Sequence, residues 1–148
     1  MIVSRAMASD WPFIHDLGRR VSATSASPLR PADHVAAAYT VLLDYIQTRE
    51  HLALVALDAD RPVGFALVLF DIPDEVTLTP QAFLAYMAVE PAFQRQGAGR
   101  ALLDAAEGEA RTRSLPYLSL MVKEGNPAGE LYATAGFAPE RRMMTKVL

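Results

Sequence analysis

The 148-residue chain contains no cysteine. That excludes disulfides, thiolate metal sites and a thiol nucleophile, and it suits a reducing compartment. Its three histidines, His15, His34 and His51, are scattered without metal-ligand spacing, so no metal is expected. Positive charge is also scarce: 14 Lys plus Arg against 17 Asp plus Glu leave a net charge of -3. Such a balance gives no basic footprint for nucleic acid. No apolar run approaches the roughly 18 residues of a membrane-spanning helix. The N-terminus, with Asp10 and Trp11 so early, lacks the basic start and apolar centre of a signal peptide. The expectation is a soluble, cytoplasmic chain that partners neither membrane nor nucleic acid.

What is present fits one domain, residues 1–148, without internal repeats. Ile2–Ala6 reads as a first strand, and Ser9 as the cap of a helix that buries Ile14, Leu17 and Val21. A loop over 22–30 leads to a second helix on Val35, Ala38, Tyr39, Leu42 and Ile46. His51–Leu57 and Val63–Phe70 read as a hairpin across Asp58–Pro62. A loop over 71–79 then precedes a strand at Gln81–Val89, and a helix follows from about Gly97 to Thr112. Strand Tyr117–Val122, a helix opened by Asn126-Pro127 and closed by Gly136, and a last strand at Met143–Leu148 complete the order. This succession predicts a mixed α/β sheet with helices on both faces.

The strand-to-helix turn holds the chemistry. A helix start carries unpaired amides and about half a positive charge, so Gln96, Gly97, Ala98, Gly99, Arg100 and Ala101 are placed to cradle a phosphate. Gly97 and Gly99, lacking a β-carbon, permit close backbone approach. Two common phosphate motifs are excluded. The dinucleotide fingerprint needs a third glycine where Leu102 stands, and the other phosphate loop needs Gly-Lys-Ser/Thr where Gly99-Arg100-Ala101 stands.

What remains, Gln94-x-x-Gly97-x-Gly99 after Val89-x-Pro91 and before Leu102-Leu103, resembles the acetyl-CoA motif of the GNAT superfamily of N-acetyltransferases. Downstream, Asn126 through Leu131-Tyr132 to Gly136-Phe137 resembles the superfamily's second signature, and the likeness covers residues 80 to 148. The resemblance implies a mostly antiparallel sheet of six to seven strands, splayed between strands 4 and 5. It implies acetyl-CoA as co-substrate, with backbone groups of Met87, Ala88 and Val89 pairing with pantetheine and one of their amides polarising the thioester carbonyl. Gln94 matches the motif, and Arg95 and Arg100 stand as phosphate contacts or as solvated surface charges. Tyr132 matches the family acid that protonates the departing thiolate, against the alternative of a packing tyrosine.

Two departures accompany the likeness. Asn126 lies one residue closer to Tyr132 than in the family, so Gly125 occupies its aligned place and its contact with CoA stays open. Met121 stands where the N-terminal ribosomal-protein acetyltransferases of the superfamily carry a glutamate base. Asp71, Asp74, Glu75, His34, Glu90, Glu124 or water is left for that role. The expected activity is direct acetyl transfer to a primary amine of a small molecule or of a peptide or protein N-terminus. The competing expectation is a non-catalytic acyl-CoA-binding sensor. The resemblance also admits a homodimer through strand edges.

Overall fold

The computed structural model describes residues 1–148. Strands β1 (Ile2–Arg5), β2 (His51–Asp58), β3 (Arg61–Leu69), β4 (Ala82–Val89) and β5 (Leu118–Leu120) form one sheet in that spatial order. The first three pairings are antiparallel and β4–β5 is parallel. The β2–β3 hairpin turns on Ala59 and Asp60 alone, with φ of 46° and 67°. Two left-handed residues make the tight turn whose twist matches the flanking strands. The link is therefore shorter than the Asp58–Pro62 segment read from the sequence.

Helices α1 (Trp11–Val21) and α2 (Ala32–Gln47) cover one face of the sheet, and α3 (Ala98–Thr112) and α4 (Ala128–Thr134) the other. Ile14 and Leu17 of α1 and Tyr39, Leu43 and Ile46 of α2 pack on Val55, Phe65, Leu67 and Ala88. Leu102, Leu103 and Ala106 of α3 pack on Leu54, Val63, Val68 and Leu84. Each layer follows from an amphipathic stripe meeting alternate residues of the strands. The cap of α1 differs from expectation: a 3₁₀ turn at Ala8–Asp10 precedes it, and the Asp10 carboxylate, rather than Ser9, accepts from the Met7 amide at 2.7 Å.

The sheet has five strands, not six or seven. Residues 138–148 make no backbone hydrogen bond, and Met143, Met144 and Leu148 are exposed. The tail finds no ladder to join because β5 is confined to Leu118–Leu120 instead of running over Tyr117–Val122. Its shortness traces to β4. Leu67 pairs with Tyr86 but Val68 pairs with Leu84, which leaves Ala85 as an extra residue in β4. Such a bulge bends its strand and increases local twist. The parallel ladder runs Ala82–Leu118, Phe83–Ser119 and Leu84–Leu120, then stops just before the bulge. Beyond it β4 continues to Val89 without a partner on that side, so the sheet splays between β4 and β5.

Candidate active site

The site begins with the polar groups that the splay leaves open. The Glu90 amide donates to the Val63 carbonyl at 2.8 Å, which turns Glu90 toward β3. Strand alternation turns the backbone groups of Ala88 the same way, and the Ala88 carbonyl lies 3.0 Å from where a Gly64 β-carbon would stand. The amides and carbonyls of Met87 and Val89 consequently face the gap. The three-residue reading narrows to these two, with Ala88 committed to the β3 ladder and its side chain buried under α1 and α2.

The turn after β4 presents the second set of open groups. Pro91–Phe93 forms a single 3₁₀ turn, after which Arg95 and Gly97 are left-handed, with φ of 63° and 92°. The amides of Arg95, Gln96, Gly97, Ala98, Gly99 and Arg100 have no acceptor within the protein. The Ala101 amide is the exception to the expected cradle, because it donates to the Gly97 carbonyl at 2.9 Å. Arg95 takes its place and holds a strained conformation costing about 1–2 kcal/mol, a type of backbone used for anion-binding concavities. The Arg95 side chain is exposed and has no ion-pair partner, whereas Arg100 is bonded to Asp104 at 3.0 Å. Gln94 is exposed at the turn entry, and the Gln96 side chain donates back to the Ala92 carbonyl at 3.2 Å.

The two glycines divide the labour. Gly97 supplies the left-handed dihedral in open space. Gly99 is buried, and a β-carbon there would lie 2.8 Å from Leu131 Cδ2, with Met87 Cε at 3.7 Å and Val89 Cγ2 at 3.9 Å. The helix start, the gap strand and α4 thus converge on one missing methyl group. That convergence brings Tyr132, the neighbour of Leu131, into the same layer, packed edge-on to Phe137 with ring centroids 5.9 Å apart. Its hydroxyl has no protein partner. Burial pushes its pKa above the ordinary phenol value, which keeps the proton on at neutral pH.

Asn126 is spent on local structure: its side-chain oxygen accepts from the Ala128 amide at 2.9 Å and caps α4. The base candidates do not gather. Asp71 is bonded to Arg49 at 2.6 Å, and Glu90 accepts from both Nη atoms of Arg20, at 3.2 and 2.6 Å. Asp74 is held below the usual carboxylate range, first by the Thr77 amide and then by its hydroxyl. His34, Glu75 and Glu124 lie on the open surface, as does Met121. Reading the residues alone missed the Ala85 bulge, the left-handed Arg95 and the role of Gly99. The uniformly apolar run from Phe83 to Val89 contains no alternation from which a phase shift could be read.

The acetyltransferase (GNAT) family profile matches residues 21–137, and the chain belongs to that family. A [Ribosomal protein bS18]-alanine N-acetyltransferase of Haemophilus ducreyi is 34% identical over 92 residues. That match covers 62% of this chain and 59% of the relative, so it spans less than two thirds of the relative's length. In fold the chain is similar to a GCN5-related N-acetyltransferase from Ralstonia eutropha, with TM-score 0.81 and 18% identity over 99% of this chain and 97% of that one. It is also similar to an aminoglycoside N-acetyltransferase, AAC(6')-Iy, solved in complex with CoA. There the TM-score is 0.73 and the identity 14%, over 99% and 98% of the two chains.

Proposed function

We propose that this protein is an acetyl-CoA-dependent N-acetyltransferase that moves the acetyl group directly to a primary amine. The observation that carries the reading is the run of unpaired amides from Arg95 to Arg100 beside the open backbone edge of Met87 and Val89. Those donors fit a diphosphate joined to an extended amide-bearing arm, and the CoA complex of the aminoglycoside acetyltransferase supports that choice of ligand. Acetyl-CoA supplies an activated acyl carbonyl and a thiol leaving group. The chain's own contributions are electrostatic and protic: a gap-facing amide of β4 stabilises negative charge developing on the carbonyl oxygen, and Tyr132 donates its proton to the departing sulfur. The amine nitrogen forms the new C–N bond as the C–S bond breaks, and the proton it sheds passes to water.

An α-amine at a peptide or protein N-terminus is the preferred acceptor. An amine with pKa of about 10.4 must be deprotonated at a cost of about 4–5 kcal/mol at pH 7, and one near 8 at about 1–1.5 kcal/mol. The absence of a gathered carboxylate favours the second, and the substrate in the Haemophilus relative's name, an alanine of a ribosomal protein, is in keeping with it. The protein works in the cytoplasm on this reading; no helix is long and apolar enough to cross a membrane. An acyl-CoA sensor is the second reading, and the departures at Met121 and Asn126 are the observations that support it. Calorimetry with acetyl-CoA tests the cradle, and CoA release with alanine-initiated peptides and small amines separates the two readings. Binding without turnover across that panel selects the sensor, and no binding overturns both.

A further inference from the structure

Past the bulge, β4 has lost β5 as a neighbour and is laddered to β3 alone, so contacts on its α1 face bear on how firmly its gap-facing amides are held. The side chains of Tyr86, Ala88 and Glu90 share the face of the strand that α1 covers. The Tyr86 hydroxyl donates to the Gly18 carbonyl at 3.3 Å. Two residues further along α1, Arg20 reaches Glu90 with both Nη atoms, at 3.2 and 2.6 Å. Its Nε is bonded to Asp16 at 2.8 Å, which fixes the plane of the guanidinium. Fork-to-fork pairing of this kind is directional as well as attractive. The Glu90 carboxylate is one-fifth exposed and Arg20 less than half, with 70 residues between them in the chain. Arg100–Asp104 and Arg111–Glu107 are local pairs within α3, and the long-range pairs Arg5–Glu109 and Arg113–Glu50 tie α3 and the residue after it to β1 and to the start of β2, away from the open half of β4.

We propose that Arg20 and Glu90 are positioning residues that hold the Val89 end of β4 against α1, where the β5 ladder is missing, and so steady its gap-facing amide toward the acyl carbonyl. The inference rests on the acetyl-transfer reading above and adds to it the contact that steadies a donor whose direction the β3 ladder gives. Neither residue touches the thioester. The pair acts through one peptide unit, because Glu90 directly follows Val89 and its own amide is tied to Val63. A misplacement of the donor by a fraction of an ångström weakens carbonyl polarisation without disturbing the diphosphate cradle, whose amides lie on the far side of the Pro91–Phe93 turn.

The test reads the carbonyl itself. Infrared difference spectra of isotope-labelled acetyl-CoA bound to the unaltered protein should show the thioester stretch displaced from its position in free acetyl-CoA. In Arg20→Ala and Glu90→Ala more than about half of that displacement should vanish while the Kd for acetyl-CoA changes less than about three-fold. Glu90→Gln, the mildest change and the safest for folding, should lose less than Glu90→Ala, and the double variant should be no worse than the more affected single one. Arg111→Ala serves as the surface control and should leave the band unmoved. Unchanged bands in all the Arg20 and Glu90 variants, or an equal change in Arg111→Ala, would overturn the proposal while leaving acyl transfer intact. No acetyl-CoA binding by the unaltered protein would instead remove the acyl-transfer reading, and this inference with it.

Discussion

The two halves of β4 are built from similar residues and behave differently. Ala82–Leu84 is laddered on both sides, to β3 and to β5, and its near end is closed by a buried polar clasp. In that clasp the Ser119 hydroxyl donates to Gln81 Oε1 at 2.7 Å, and Gln81 Nε2 donates to the Ile72 carbonyl at 3.2 Å. Tyr86–Val89 is laddered only to β3, and its other edge is open. The single extra residue, Ala85, separates the two. Similar strand chemistry thus serves stability on one side of the bulge and, on the proposed reading, recognition on the other, and what differs is whether the protein satisfies its own backbone.

Four changes should break or sharpen this contrast. The largest effect belongs to the open half: Tyr132→Phe should lower turnover with a measured amine by about 100-fold, leaving the melting temperature and acetyl-CoA affinity nearly unchanged. Since burial raises the tyrosine's pKa, its acid form persists past the usual phenol value of about 10. Turnover that depends on it should therefore decline only on the alkaline side of that value, and the decline should be missing from the Phe variant. In the closed half, Gln81→Leu leaves the Ser119 hydroxyl and the Ile72 carbonyl without partners and should cost about 1–3 kcal/mol in denaturant titration. Acetyl-CoA should still bind. Loss of binding in that variant would show that the halves are not separable.

A smaller effect is expected at Gly97→Ala, where φ of 92° must be held by a residue with a β-carbon and no atom stands within 4 Å of it. Strain of about 1 kcal/mol should appear as an equal loss of stability in denaturant titration, with the Kd for acetyl-CoA changed less than about five-fold. The smallest concerns the loop leading into the closed half. The Thr77 amide and hydroxyl, with the Val76 amide and Arg141, lower the Asp74 pKa in the folded state. Its stabilising contribution is complete above the ordinary carboxylate range and disappears as the pH falls through the lowered value. Asp74→Asn should flatten the acid limb of a stability–pH curve by lowering its neutral plateau toward the acid value.

Legibility differed between elements for physical reasons. The hairpin, α1, α2 and α3 were readable because an amphipathic stripe or an apolar run bounded by Gly, Pro and Asp has few alternative foldings, and their observed limits lie close to those expected. The unpaired amides of the turn before α3 were readable because a glycine-bearing turn between strand and helix is a local device. The bulge was not, since its consequence is a register shift against a distant strand and every residue around it is apolar. Gly99 was read as access for an oxyanion, whereas its missing β-carbon is filled from across the fold by Leu131. The pairing of Arg20 with Glu90 spans 70 residues and leaves no local trace. The final strand failed for the same kind of reason: Met143–Leu148 has the composition of a strand, but a strand also requires an edge long enough to receive it.

The open edge at Met87 and Val89 bears on handling as well as on chemistry. Unsatisfied main-chain groups along an apolar strand offer a template to any other extended chain, so protein kept free of acyl donor should self-associate more readily than protein saturated with it. Light scattering during storage, with and without CoA, would display the difference. The coenzyme's arm would then act as a chaperone for the strand proposed to bind it.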